Sequence, residues 1–179
     1  MGQDKLLLPW GDATVIESLL AAWQRSGVDE IVVVLRQDQT ELQTLCRAAT
    51  IVTPAIAPPE MKDSVLAALN HIRKVFSPED RDVWLLSPAD MPQLDAKVVR
   101  QILAAHDPAS RAIIVPVSDG KRGHPVLFPW PFAPAVESLA DDEGVNALLE
   151  QFPVHEVNCG DSGIYQDLDT PDDYERLRR

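Results

Sequence analysis

The sequence has no apolar run approaching the roughly 20 residues that a membrane-spanning helix needs. Its start also lacks the basic, then apolar, then small-residue pattern of a secretory signal. Both absences point to a soluble protein in the cytoplasm, with no membrane partner. Cysteine is scarce: Cys46 and Cys159 are the only two in 179 residues. They lie too far apart for a zinc knuckle or a CxxC redox pair, so two reduced thiols are expected, at least one of them packed in the core. Basic residues are in deficit, 16 Lys and Arg against 28 Asp and Glu, giving a net charge of −12. Such a surface repels nucleic acid and anionic membranes. It accepts a small anionic ligand only where a metal ion and a few local cations offset the charge. There is no internal repeat, low-complexity tract or linker, and residues 1–179 are read as a single domain.

What is present alternates helical periodicity with short apolar runs. Thr14 followed by Glu17 reads as a capping box. After it, Ile16, Leu19, Leu20 and Trp23 share one helical face, and Gly27 closes the segment. Residues 31–35, Ile-Val-Val-Val-Leu, are β-branched without polar alternation, the mark of a strand covered on both faces. Further strands are expected at 50–53, 83–86, 112–117, 125–128 and 154–157. Helices are expected at 40–47, in a segment carrying Val65, Leu66, Leu69, Ile72 and Phe76, after Asp95, near 135–140 and 145–151, and from Pro171 onward. Alternating strands and helices imply a three-layer, doubly wound α/β fold with a mostly parallel sheet. Ligands of such sheets bind beyond the carboxyl ends of the strands.

Three segments at such positions carry chemistry. Ser87-Pro88-Ala89-Asp90-Met91-Pro92 follows an expected strand. Asp90 there suits a Mg²⁺ ion, which takes one or two protein carboxylates plus phosphate oxygens. It suits a turn-capping role equally well. In Asp167-Leu168-Asp169-Thr170-Pro171-Asp172-Asp173, either Asp169 or Thr170 can cap the last helix, and Asp172 and Asp173 favour its dipole. A metal role for Asp169 is the alternative. Lys121-Arg122-Gly123-His124-Pro125 gathers two cations and an imidazole at a turn, either as an anion contact or as a solvated hairpin.

Taken together, these segments resemble the MobA-like nucleotidyltransferases, in particular the molybdenum cofactor cytidylyltransferase branch. Met1-Gly2-Gln3-Asp4-Lys5 and the following Leu6-Leu7-Leu8-Pro9-Trp10-Gly11 match the end of the family's LAAGxSxRMGxxK loop and the LLLPxxG that follows it. Asp90-Met91-Pro92 matches DMP, residues 122–128 match RGHPVLF, and residues 167–174 match DIDTPEDY with Leu168 and Asp172 substituted. The resemblance covers essentially the whole chain. It implies a Rossmann-like nucleotidyltransferase fold and transfer of CMP from CTP to a molybdopterin-type cofactor, with release of pyrophosphate. It further implies that Lys5 is catalytic and that Gly2, Lys5, Ser64 and Asp90 contact the nucleotide. Asp90 and Asp169 would hold Mg²⁺, and Arg122, Gly123, His124 and Pro125 would face the acceptor. A molybdoenzyme or its insertion chaperone is a further implied partner.

The sequence departs from the family pattern in three places. No counterpart of LAAGxSxR precedes Met1, so the sheet is expected to lack its first strand and the Gly-rich phosphate cradle. An upstream start codon is the expected reason, with a degenerate paralogue and a fragment as alternatives. The family's Gly-Met-Gly-Ser-Ser-type turn reads Glu60-Met61-Lys62-Asp63-Ser64, which removes close backbone approach and puts Asp63 where a triphosphate would lie. GDxGAR reads Asp142-Glu143-Gly144-Val145-Asn146, without the arginine. These departures keep two other functions open: a related transferase with a sugar-phosphate-type acceptor, and a non-catalytic accessory protein for cofactor binding or insertion.

Overall fold

The structure, a computed structural model, describes residues 4–178. After a single 3-10 turn at Lys5–Leu7, a short hairpin of β1 (Pro9–Trp10) and β2 (Ala13–Thr14) leads into α1 (Val15–Gln24). Next come β3 (Val32–Val34), α2 (Thr40–Leu45), β4 (Thr50–Val52), α3 (Met61–Phe76), β5 (Val83–Leu86) and α4 (Ala96–Ala104). The second half runs β6 (Ile113–Ser118), β7 (Lys121–Arg122), β8 (Val126–Pro129), α5 (Ala133–Glu137), α6 (Leu148–Gln151), β9 (Val154–Asn158) and α7 (Pro171–Leu177). The capping box holds: Thr14 Oγ1 accepts from the Glu17 N–H, and Glu17 Oε2 accepts from the Thr14 N–H at 2.9 Å. Asp95 caps α4 through the N–H of Lys97, at 2.7 Å.

The expected three-layer arrangement follows from strand alternation, because successive side chains leave a strand on opposite faces. Val83 and Leu85 of β5, Ile114 of β6 and Leu127 of β8 pack with Ile16, Leu20, Val99 and Ile102 of α1 and α4. Trp84 and Leu86, Ile113 and Val115, and Val126 and Phe128 pack the other way, against Val65 and Leu69 of α3, Val136 of α5 and Leu148 of α6. Each face is thus closed by helices. Trp84 and Phe128 stack with centroids 4.2 Å apart across the β5–β8 pair. Cys46 is buried and free, and Cys159 is free and half-buried.

The sheet is mixed. β3 and β4 pair in parallel, as do β6 and β9, while β8 lies antiparallel between β5 and β6. β5 and β6 therefore point the same way, and the reversal is confined to β8 and the short hairpin strand β7. Chain length explains it. Seven residues join β6 to β8, whereas a parallel crossover takes about a dozen or more. Asp119 and Gly120, with φ of 51° and 73°, turn the β6–β7 hairpin in the left-handed conformation that tight hairpins favour.

The interruption expected in the sheet falls between β3 and β5. Ile31 O accepts from the Thr50 N–H and the Leu35 N–H donates to Val52 O, so β3 gives one edge to β4. No described residue pairs with its other edge, or with the edge of β5 turned away from β8. Both strands still pack on one apolar cluster, through Val33 on one side and Val83 and Leu85 on the other. Among the described residues no helix is long and apolar enough to cross a membrane.

Candidate active site

Three distant stretches of chain converge beyond the carboxyl end of β5. The first is the turn at Lys5–Leu7. Asp4 caps it by accepting from the Leu6 N–H at 3.1 Å, and its other carboxylate oxygen accepts from Gln39 Nε2 at 3.1 Å. Leu6 and Leu7 pack against the core. The second is the loop after β5, whose Met91 is buried at 1% exposure beside Asp90. The third precedes α7. There the Leu168 N–H donates to Asp90 O at 3.1 Å, while the Leu168 side chain packs with Val15 and Leu177.

This places Asp90 and Asp169 around one ammonium. Lys5 Nζ is in contact with Asp90 Oδ2 and lies 3.3 Å from Asp169 Oδ1. Burial pulls the Lys5 pKa down, but the hydrogen bonds and charges of Asp90 and Asp169 outweigh it and hold the pKa above its usual value. Asp90 is only 8% exposed, whereas the Asp169 side chain is largely in solvent. The helix-cap alternative for Asp169 is excluded, because Thr170 caps α7: its Oγ1 accepts from the Asp173 N–H, and Asp173 Oδ2 accepts from the Thr170 N–H. Asp169 is left facing Lys5.

The residues suit a hard divalent cation. Asp90 Oδ1 is buried and has no hydrogen-bond partner among the described residues, a costly condition for a carboxylate oxygen. The donors are all oxygen, the preference of Mg²⁺ and Mn²⁺. Among the described residues no group of three or more His, Cys, Asp or Glu could hold a metal. The two carboxylates would therefore need phosphate oxygens or water to complete a coordination shell.

His124 reaches the same edge because β8 runs backwards. Leu86 pairs with Val126, so residues just before β8 sit beside the end of β5. The His124 main-chain N–H donates to Ile164 O at 2.6 Å, and ring Nδ1 lies 3.3 Å from Leu86 O. Burial lowers the His124 pKa, partly offset by the bond to Leu86 and by the charges of Asp167 and Asp90. Gly123 packs flat against Ile164, where a Cβ would meet the Ile164 carbonyl oxygen at 2.2 Å. Pro125 follows His124 on the way into β8. Arg122 points elsewhere, to Glu156 Oε1 at 2.7 Å, and Lys121 stacks over the Tyr165 ring. Both cations of this segment are thus held on the surface.

Ser64 lies in the first turns of α3, and no described contact joins it to Lys5, Asp90 or Asp169. Gly2 lies outside the described residues. Asp63 accepts from the Glu60 N–H at 3.1 Å as part of the start of α3. The sequence reading missed Lys62. It is 9% exposed, and its Nζ donates to Ala140 O at 2.5 Å, tying α3 to the loop where the arginine is missing. A lysine at the start of a helix would ordinarily be disfavoured by the dipole, and that anomaly was the available signal.

Similar proteins share the sequence pattern and the fold. The model of the MobA-like NTP transferase domain matches residues 1–157. A nicotine blue oxidoreductase of Paenarthrobacter nicotinovorans is 26% identical over 181 residues, covering 97% of this chain and 87% of the relative. The molybdenum cofactor cytidylyltransferase of Escherichia coli (strain K12) is 25% identical over 175 residues, covering 97% and 86%. The structure of Rv0371C from Mycobacterium tuberculosis H37Rv in complex with manganese superposes with a TM-score of 0.78. It has 26% identity and covers 98% of this chain and 92% of that one.

Proposed function

The chain belongs to the family of MobA-like NTP transferase domains, and from that premise we propose that it transfers CMP from CTP to a molybdopterin-type cofactor, releasing pyrophosphate. The observation that carries this reading is the meeting of Lys5, Asp90 and Asp169 around one point. Nucleotidyl transfer needs no protein nucleophile. A phosphate oxygen of the acceptor forms a bond to the α-phosphorus, the bond from that phosphorus to the β-bridging oxygen breaks, and pyrophosphate departs with the electron pair. The protein's task is positioning and charge neutralisation.

Asp90 and Asp169 would hold the cation, Mg²⁺ in this reading. When bound, it supplies positive charge to the phosphate oxygens and favours the leaving pyrophosphate. The manganese complex of a structural relative supports a divalent ion. Lys5 would add a second positive charge to the departing phosphates. His124 would present its ring edge toward the acceptor side, with Gly123 and Pro125 shaping the wall. Arg122 would join them only by leaving Glu156, an exposed pair of the kind that is worth little. The choice of CTP and of the cofactor rests on the RGHPVLF and DMP matches and on the cytidylyltransferase relative.

The non-catalytic alternative draws on residues 60–64. These open α3 as an ordinary capped helix, with Asp63 bound to the Glu60 N–H, and offer no glycine turn to a base. Pyrophosphate release from CTP, GTP and ATP, with and without cofactor and Mg²⁺, separates the readings. Release that needs CTP, cofactor and metal together is expected. No release with any nucleotide and acceptor would leave the accessory role.

A further inference from the structure

Lys5 stands where the cation is expected. The ammonium touches Asp90 Oδ2 and approaches Asp169 Oδ1 at 3.3 Å. The remaining oxygen of Asp90, Oδ1, is cut off from solvent. While Lys5 stays in place a free divalent ion thus finds no open oxygen on Asp90, and the unpartnered Oδ1 becomes available to a cation only once the ammonium has moved. An ammonium and a divalent cation placed side by side at one carboxylate oxygen also repel each other. Both cannot share Oδ2 from the open side.

The two halves of Lys5 differ in freedom. Its main chain is fixed by the Asp4 cap, by Gln39 on Asp4 and by the packing of Leu6 and Leu7. Its side chain is one-third exposed and carries a flexible four-carbon stem. The ammonium is thus able to swing on an immobile base. It leaves two carboxylates only for an equivalent negative charge, and in the reading above the triphosphate supplies one.

We propose that Lys5 is a removable counter-ion: without nucleotide it fills the cation position and closes it to free divalent metal, and an arriving triphosphate draws it off and opens Asp90 and Asp169. Metal binding is then conditional on nucleotide. The arrangement also keeps Asp90 compensated in the resting protein, where a buried lone carboxylate would be costly. The proposal rests on the assignment of Asp90 and Asp169 as the cation ligands.

The test is Mn²⁺ binding to the full chain, read by electron paramagnetic resonance of free Mn²⁺, for the wild type, Lys5→Met, Asp90→Asn and the double variant. Titrations are run with Mn²⁺ alone and with CTP carrying a methylene group in place of the α,β-bridging oxygen. Binding to the analogue itself is subtracted. Lys5→Met should bind Mn²⁺ alone at least about 10-fold tighter than the wild type, the ratio that one lost competing charge pair implies. Mn²⁺ should raise its melting temperature while barely moving that of the wild type. Adding Asp90→Asn should abolish the gain. If Lys5→Met does not fold, Lys5→Gln, which keeps N–H donors between the carboxylates but no charge, takes its place. If the wild type with analogue binds Mn²⁺ through Asp90 but the Lys5 variant gains nothing for Mn²⁺ alone, the counter-ion role is wrong and the cation site stands. If no variant binds Mn²⁺ under any condition, both fall.

Discussion

The Leu168 N–H donates to the Asp90 carbonyl oxygen at 3.1 Å, so the two carboxylates of the site are linked through the main chain as well as through Lys5. Leu168 is itself anchored at 1% exposure. Asp169, though solvent-exposed, is therefore held at a fixed distance from a buried partner. Replacing each carboxylate should show the difference. Asp90→Asn removes the buried ligand, and pyrophosphate release should fall on the order of 10²-fold or more, as when a preorganised electrostatic group is lost. Asp169→Asn should fall less. The double variant should be little worse than Asp90→Asn, because both residues act on one cation. Fully additive losses in steady-state kinetics would contradict a shared site.

Gly123 has an ordinary φ, so its need for glycine comes from contact rather than torsion. A Cβ would meet backbone atoms of Ile164 at 2.2 and 2.6 Å, and backbone cannot rotate aside. Gly123→Ala should lower unfolding free energy by about 1–3 kcal/mol, the range for overpacking. It should also displace His124, whose N–H bonds to the same Ile164 carbonyl. Gly144→Ala, with open space around the added carbon, should stay within about 0.5 kcal/mol. Urea unfolding of both variants checks this, and equal effects would refute it.

His124 has a folded pKa below its ordinary value near 6.5, chiefly because of burial. As pH falls, the unfolded chain takes up the proton first. Stability is then complete above about pH 6.5 and declines from there down to the folded value, at no more than about 1.4 kcal/mol per pH unit for one proton. His124→Gln should flatten that part of the acid limb. Urea midpoints from about pH 7.5 to about pH 5 give the comparison. An unchanged slope would mean that His124 does not carry the linkage.

Much of this layout is legible in the sequence, and the limits have physical causes. The core strands declare themselves because residues such as Val83, Trp84, Leu85 and Leu86 are apolar on both faces. Caps at Thr14 and Asp95 are local in sequence and readable for that reason. The direction of β8 is not local, yet the short connection from β6 already forbids a parallel crossover. The ambiguity at Asp169 needed coordinates, since either Asp169 or Thr170 could cap the same helix and only geometry shows that Thr170 does. The surface pairing of Arg122 with Glu156 crosses 34 residues and left no pattern to read.

Lys62 gives the last prediction, because its unfavourable place in the first turn of a helix is the one mark the sequence carries of its buried contact. It sits at the second position of α3, 9% exposed, with Nζ donating to the Ala140 carbonyl. The Ala140 N–H is already bonded to Glu143 Oε2 at 2.8 Å, so the loop at 140–143 is held from both sides of one residue. Lys62→Met keeps the packed stem but leaves that carbonyl without its charged donor. Loss of such a bond should cost about 1–3 kcal/mol in unfolding free energy. Lys97→Met, at an exposed position in α4, should cost no more than about 0.5 kcal/mol. The cleavage rate of the 140–144 loop by a nonspecific protease should rise in Lys62→Met at temperatures well below its melting point, because the loop loses an anchor while the core stays closed. If Lys62→Met matches the wild type in both stability and proteolysis, the contact with Ala140 does not anchor the loop.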